Sequence, residues 1–180
     1  MADGTDDGDG DAIARIHTAI QDAVAALSAD GARHEALAEY IPARRTLGIR
    51  REPALRRIGD VWRLGVFLLD GSGTLYAAGT LVRATPPGRP QYQSQSAEYR
   101  RALRAAAQRG HFRDGETVNF DAHPIELDAD ALRASTGPLF VRGGQALVRW
   151  SAAADDAHAR PFGGYLAERV DLLAHPPEGA

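Results

Sequence analysis

The chain has 180 residues, of which 44% are hydrophobic and 25% are charged, as in ordinary globular proteins. This composition excludes a disordered, a collagen-like or a membrane-bundle chain, and the length suits one domain with a hydrophobic core. Cysteine and lysine are both absent, which excludes disulfides, cysteine nucleophiles, Schiff-base lysines and a lysine-dependent phosphate loop.

The N-terminal segment is acidic, although the net charge of the whole chain is only −3. Aspartate and glycine dominate residues 1–10, which predicts a disordered acidic tail there. The segment lacks the basic and apolar regions of a signal peptide, and no apolar run is long enough to span a membrane. We therefore expect a cytoplasmic protein with one domain over 11–175 and a flexible C-terminal tail over 176–180.

The first half of the domain is predicted to contain two helices and a hairpin. Apolar residues spaced three and four apart predict a helix over 11–28, and a shorter helix is expected over 33–40. Two apolar runs, 61–69 and 74–84, flank the turn-forming segment 70–73 and predict a β-hairpin.

The second half alternates between helices and strands. The predicted order is a helix at 94–109, a strand at 116–127, a short helix at 128–134, a hairpin of 139–142 with 146–151, and a closing helix at 164–173. This order predicts an α+β domain with a mostly antiparallel sheet of about five strands and helices packed on one face. The predicted core residues of the strands are Trp62, Phe67, Leu69, Leu81, Val118, Phe140, Val148 and Trp150.

Arginine is concentrated between residues 44 and 57. Six of the 21 arginines lie there: Arg44, Arg45, Arg50, Arg51, Arg56 and Arg57. A guanidinium group can hold a phosphate or carboxylate with two parallel hydrogen bonds, so the segment predicts a site for a small anionic ligand or a protein partner. A solvated surface with ion pairs is the alternative. Nucleic acid is disfavoured, because residues 42–60 contain no aromatic side chain for stacking.

Ser94 and Ser96 stand at the predicted start of the helix over 94–109. The backbone N–H groups of a helix N-terminus lack partners within the helix, so hydroxyls there can help to bind an anion. Ordinary capping of the helix explains the same residues.

Asn119, Asp121 and His123 alternate along the predicted strand 116–127 and should therefore share one face. An aspartate or asparagine beside a histidine can orient the imidazole as a general base, which suits hydrolysis of an amide or ester. The polar outer face of an ordinary strand is the alternative. The histidines show no metal-ligand spacing, so we expect no metal and no cofactor.

Six segments between residues 61 and 173 resemble those of a known group of proteins. They are VWRLGVFLLD at 61–70, AAAQRGHF at 105–112, GETV at 115–118, GPLFVRGG at 137–144, VRWS at 148–151 and YLAERVDLL at 165–173. They resemble short, uncharacterised bacterial proteins that sometimes carry the label glutaminase. The resemblance implies hydrolysis of an amide. It transfers no catalytic residue, since the serine-dependent glutaminases use a Ser-x-x-Lys motif and this chain has no lysine.

We rank three functions from the sequence. The first is a soluble binding module for a small anionic ligand or a protein partner, using the arginine segment. The second is a structural role as a homodimer or larger homo-oligomer. The third is an amide or ester hydrolase with His123 as the base.

Overall fold

The computed structural model describes residues 3–46, 49–86, 94–151 and 156–177. The helices are α1 (Asp3–Ala29), α2 (Gln95–Arg109), α3 (Ala129–Ala134) and α4 (Phe162–Ala174), and a short 3₁₀ helix covers Asp156–His158. The strands are β1 (Glu35–Ile41), β2 (Arg44–Thr46), β3 (Ile49–Arg51), β4 (Ala54–Leu64), β5 (Phe67–Asp70), β6 (Leu75–Ala77), β7 (Thr80–Arg83), β8 (Thr117–Phe120), β9 (His123–Pro124), β10 (Leu139–Arg142), β11 (Gln145–Val148) and β12 (Arg160–Pro161). No helix in these residues is long and apolar enough to cross a bilayer.

The predicted α+β class is confirmed, but the predicted number of strands is too low. Seven strands are hydrogen-bonded in the order β7-β8-β1-β4-β5-β6-β9, and β10-β11-β12 and β2-β3 form two smaller sheets. Among the described strand pairings, only β1 with β8 is parallel. The sheets are therefore mostly antiparallel, as predicted.

Three predicted strands are each divided in two, and the resulting six strands form the seven-stranded sheet together with β1, a segment that was predicted to be helical. The run 61–69 breaks at Gly65, which has φ +69°, and 116–127 breaks at Asp121, which has φ +53°. The run 74–84 breaks at Ala78 and Gly79. A Cβ on Gly79 would lie 2.1 Å from the carbonyl oxygen of Asp121, so only glycine fits there.

The predicted helix over 33–40 is wrong, because this segment forms β1. Its sequence is rich in Ala, Leu and Glu, which favour helices. The consecutive residues Ala36, Leu37 and Ala38 are all buried, and β1 pairs with β4 on one edge and β8 on the other. A central strand that is covered on both faces has no alternation in sequence, so burial overrides local propensity here.

The chain forms two compact units, and unit 1 comprises Met1–His34, Trp62–Ala78 and His123–Ala180. Its helices α1 and α4 pack against each other and against β11. The ring of Phe67 lies edge-on to both Phe162 and Tyr165, at centroid distances of 5.8 and 5.9 Å. Trp62 is also buried in this core, and its indole N–H donates to the carbonyl oxygen of Ala32 at 3.2 Å.

Helix α1 begins at Asp3, whereas composition predicted a disordered tail through residue 10. Asp9 explains the difference, because its side chain is only 2% exposed and receives a hydrogen bond from the Arg133 guanidinium at 2.7 Å. The backbone N–H of Gly144 donates to the same carboxylate at 3.1 Å. Contacts from distant parts of the chain thus hold this turn of the helix, and composition alone does not reveal them. Residues 178–180 of the predicted C-terminal tail lie outside the described residues.

Unit 2 comprises Glu35–Val61 and Gly79–Ala122. Its strands follow the order β7-β8-β1-β4, and α2 packs against β7. The buried core of this unit is Ala36, Ala38, Leu55, Val82, Ala84, Leu103, Ala106, Ala107, Phe112, Val118 and Phe120.

Six of the eight predicted core residues are buried, whereas Leu81 and Trp150 are 47% and 49% exposed.

Gly110 sets how closely the chain after α2 approaches β4. A Cβ at this position would lie 1.9 Å from the carbonyl oxygen of Leu55 and 2.7 Å from the Phe112 ring. We predict that Gly110→Ala lowers the free energy of unfolding by about 2 to 3 kcal/mol, because the backbone must shift to admit the methyl group. Urea denaturation followed by circular dichroism measures this change.

The matched control is Gly59→Ala on β4, in the same unit. A Cβ at Gly59 meets no atom within 4 Å. This control should leave stability unchanged or raise it by up to about 1 kcal/mol, since alanine restricts the unfolded chain. Equal stability of the two variants would show that the chain after α2 does not depend on this contact.

Candidate functional site: a basic cavity in unit 2

Strands β2 and β3 form a two-stranded ribbon that carries four arginines, which we call the basic ribbon. Arg44 lies directly opposite Arg51, and Arg45 lies opposite Arg50. Opposed residues of an antiparallel pair point to the same side, and neighbouring residues along a strand point to opposite sides. Arg44 and Arg51 therefore share one face of the ribbon, and Arg45 and Arg50 share the other.

The face with Arg44 and Arg51 borders a cavity of about 350 Å³, the basic cavity. Five arginines line it: Arg44, Arg51, Arg56, Arg57 and Arg109. Glu52 is the one carboxylate among the described lining residues, and His111 also faces the cavity. The lining therefore has a strong excess of positive charge, in a chain whose net charge is negative.

Arg109 reaches the cavity from the last turn of α2. Its Nε donates to the carbonyl oxygen of Pro53 at 2.6 Å, which fixes the side chain next to β4. The backbone N–H of Gly110 donates to the carbonyl oxygens of Ala106 and Ala107 at 3.1 and 3.0 Å, and that of His111 donates to Gln108 at 3.0 Å. The carbonyl oxygens at the end of α2 therefore already accept backbone hydrogen bonds and need none from the Arg109 guanidinium.

Arg56 and Arg57 each have an acidic partner. Arg56 pairs with Glu39 across the β1–β4 pairing, and Arg57 pairs with both Asp60 and Glu116. These ion pairs tie β4 to β1 and to the segment that leads into β8. The two arginines thus have a structural role in addition to their position on the cavity wall.

Arg44, Arg51 and Arg109 make no ion pair with another described residue, unlike the other cavity arginines. The carboxylate of Glu52 is held by Arg50, with 3.1 Å between Oε1 and Nε. Like charges directly opposite on a ribbon repel each other. Arg44, Arg51 and Arg109, which have no acidic partner among the described residues, therefore give one concave site a positive charge that a bound anion would neutralise.

The pKa of Glu116 reflects its ion pair with Arg57. Partial burial by itself would raise the pKa of Glu116, but hydrogen bonds from Arg57 and from the backbone N–H of Arg113 outweigh it. The pKa of Glu116 therefore lies below its ordinary value of 4.5. The ionised carboxylate is the form that the folded protein stabilises.

The structure divides the six predicted arginines by position. Four of them line the basic cavity, whereas Arg45 and Arg50 lie on the opposite face of the ribbon. Sequence reasoning missed Arg109, whose position in the last turn of a helix gave only the ordinary signal of a residue that complements the helix dipole. Because Arg109 is far along the chain from the arginine segment, no sequence pattern indicates that both line the same cavity.

Ser94 and Ser96 do not line the basic cavity. Ser94 is the N-cap of α2, but its side chain makes no capping hydrogen bond. The two hydroxyl oxygens lie 3.0 Å apart and bond to each other. The helix therefore starts at the predicted place, and the structure brings no arginine of the cavity to these serines.

The shared strand face predicted for Asn119, Asp121 and His123 is wrong, because the chain turns at Asp121 between β8 and β9. Asn119 is fully buried, and its amide donates to the Glu35 carboxylate at 2.8 Å and to the Ala36 carbonyl at 3.2 Å. Asp121 is exposed, and its left-handed backbone suits Asp or Asn. These contacts give Asn119 a structural role in linking β8 to β1.

His123 lines a separate cavity of about 350 Å³ in unit 1, together with Ser135 and Thr136. Its side chain makes no hydrogen bond with another described residue. The Ser135 hydroxyl accepts a hydrogen bond from the backbone N–H of Gly137 at 3.1 Å. No group of three or more potential metal ligands occurs in the described ranges. A hydrolase with His123 as its base stays a prediction.

Asn119 offers a test of its structural role. We predict that Asn119→Asp lowers the free energy of unfolding at pH 7 by about 3 kcal/mol, because it buries a carboxylate against Glu35 and a carbonyl oxygen. Urea denaturation measures the change. The control Asp121→Asn, at an exposed site that accommodates asparagine, should stay within about 0.5 kcal/mol of the parent. A stable Asn119→Asp protein would contradict the buried contacts.

Glu116 offers a test by pH. A folded-state pKa below the unfolded one adds stability that is present above about pH 4.5 and is lost as the pH falls through the folded pKa. We predict that Glu116→Gln costs about 1 kcal/mol between pH 5 and 7, since the pair is partly exposed. This cost should shrink at pH 4 and 3 in urea denaturation. Asp114→Asn, at an exposed position in the same segment, is the control, and a pH-independent cost for Glu116→Gln would contradict the ion pair.

Comparison of the chain with protein-family models, with curated proteins and with solved structures finds no significant match to any of them. The resemblance to proteins labelled glutaminase therefore stays a prediction. The geometry of the chain's own residues is the basis for any assignment of function.

Proposed function

We propose that unit 2 binds a small, multiply charged anion in the basic cavity, with phosphate groups as the preferred ligand chemistry. The observation that carries this proposal is the convergence of Arg44, Arg51 and Arg109, which come from three elements and have no acidic partner among the described residues. The other two arginines of the cavity differ, because Arg56 and Arg57 each have acidic partners.

Phosphate suits the site better than a single carboxylate. Each phosphate offers three oxygens that accept hydrogen bonds, and its oxygens match the planar fork of a guanidinium. Three uncompensated cations balance the charge of a ligand with two or more phosphates. The cavity of about 350 Å³ lies within the usual size range of small-molecule sites.

The site is also partly rigid before a ligand binds. Arg109 is held by the Pro53 carbonyl, and the ion pairs of Arg56 and Arg57 fix the wall that β4 provides. Arg44 and Arg51 have no acidic partner among the described residues and supply the remaining donors. A preformed wall lowers the entropy that is lost when the ligand is bound.

The test is isothermal titration calorimetry with inorganic tripolyphosphate and the variant Arg51→Gln. The matched control is Arg45→Gln, which removes the same charge from the same ribbon but on the face away from the cavity. We expect Arg51→Gln to weaken binding by about tenfold or more, as for the loss of a charged hydrogen bond. Arg45→Gln should weaken it by no more than about twofold, and binding should weaken between 50 and 200 mM salt.

Two results would contradict the proposal. One is the absence of tripolyphosphate binding to the parent protein. The other is an equal loss of affinity in Arg45→Gln and Arg51→Gln, which would indicate a diffuse attraction to the whole ribbon instead of a site. A thermal melt of each variant shows whether it is folded.

A further inference from the structure

A second cavity of unit 2 lies next to the basic cavity, and we call it the tyrosine cavity. Its volume is about 480 Å³, and it shares Glu52 and Arg109 with the lining of the basic cavity. Tyr40 from β1 and Tyr99 from α2 also line it. The two cavities therefore form neighbouring compartments with Arg109 and Glu52 at their junction.

Both tyrosines are unusually exposed for large aromatic side chains. Tyr40 is 37% exposed and Tyr99 is 57% exposed, whereas Leu103 in the same cavity is 6% exposed. Tyr40 is supported by Phe120, with 6.3 Å between the ring centroids. Exposed aromatic rings that border a cavity are suitable platforms for a flat apolar group, since stacking removes both surfaces from water.

We infer that the anion bound by unit 2 is a nucleotide. Its phosphates occupy the basic cavity against Arg44, Arg51 and Arg109, and its base lies in the tyrosine cavity against Tyr40 and Tyr99. This inference rests on the proposed function, because it names the ligand of the same basic site. The inference adds a role for the tyrosine cavity, which an inorganic phosphate ligand would not occupy.

The chemistry of the junction fits the middle of such a ligand. Arg50 pairs with Oε1 of Glu52, and the other oxygen of this carboxylate can accept a hydrogen bond from a ribose hydroxyl. Arg109 borders both compartments and can contact the phosphate nearest to the sugar. Most cations line the basic cavity, Glu52 and Arg109 line both cavities, and the two tyrosines line the other, where Arg101 also lies but pairs with Glu98. This division suits phosphates in one compartment, ribose at the junction and a base in the other.

A single nucleotide fits these observations better than a strand of nucleic acid. Proteins that bind single strands combine a basic groove with a series of aromatic rings, one for each successive base. The described residues of unit 2 place one aromatic compartment beside one basic compartment. The chain as a whole is acidic, with a net charge of −3, and so lacks the extended positive field that attracts a strand.

The experiment compares ATP with inorganic tripolyphosphate, which has the same number of phosphates and no nucleoside. We expect ATP to bind at least about tenfold more tightly in calorimetry, because the base adds stacking with the tyrosines. Tyr99→Ala and Tyr40→Ala should each lower the affinity for ATP by about fivefold or more and leave that for tripolyphosphate unchanged. Tyr99→Phe keeps the ring and should keep the affinity for ATP.

The matched control is Ile58→Ala, which removes an exposed apolar side chain of β4 that lines neither cavity. It should change neither affinity. If ATP and tripolyphosphate bind equally, or if the tyrosine variants bind ATP as the parent does, the nucleotide inference is wrong and the basic site stands. If neither ligand binds, both proposals fail.

A third ligand separates a nucleotide from a strand. A single-stranded DNA of ten nucleotides should bind no more tightly than ATP, because unit 2 offers one aromatic compartment. Binding of this strand at least tenfold tighter than that of ATP would overturn the inference in favour of a nucleic-acid site.

Discussion

The basic cavity depends on the close approach of Gly110 to the backbone of β4. A side chain at this position would overlap the carbonyl oxygen of Leu55, so only glycine lets the end of α2 lie against the strand. The approach brings Arg109 within hydrogen-bond distance of Pro53. On the other side of Gly110, the ring of Phe112 lies under the guanidinium of Arg57, with 5.2 Å between Cζ and the ring centroid. The segment 109–112 therefore supplies Arg109 to the cavity and holds Arg57 on the cavity wall.

The arginines of unit 2 perform two different electrostatic tasks. Those with acidic partners, Arg56 and Arg57, connect strands, and their charge is largely cancelled. Arg44, Arg51 and Arg109 have no acidic partner in the described part of the chain, so their charges repel one another. Directly opposed like charges on a ribbon cost about 0.2 to 1 kcal/mol, which water and salt around an exposed site reduce further. The cost is small for the fold, and relieving it adds to the affinity for an anion.

The sequence predicts local structure well and long-range pairing poorly. Helices α2, α3 and α4 and the hairpin β10-β11 follow from apolar spacing, caps and turn residues, and all were predicted nearly at their observed positions. The burial of β1 depends on its partners β4 and β8, which no local signal reveals. The break at Asp121 has no clear signal in the sequence either, because apolar and polar residues alternate on both sides of it and only glycine would have indicated a positive φ strongly. That break separates the residues from which a catalytic site had been predicted.

The same limit explains why the sequence could argue against nucleic acid but could not indicate an aromatic compartment. The segment 42–60 holds most of the cavity's cations and no aromatic residue, which is a fair argument against a strand-binding surface built from that segment. In a cavity assembled from several elements, the aromatic residues and the cations can come from different segments of the chain. Its cations come from β2, β3, β4 and α2, and its aromatic rings come from β1 and a different turn of α2. Tyr99 stands ten residues before Arg109 on α2, so the helix extends past both compartments and presents a ring to one and a cation to both. The composition of one segment can therefore predict a site for an anion, whereas the compartment proposed for the base is visible only where the fold joins that segment to β1 and α2.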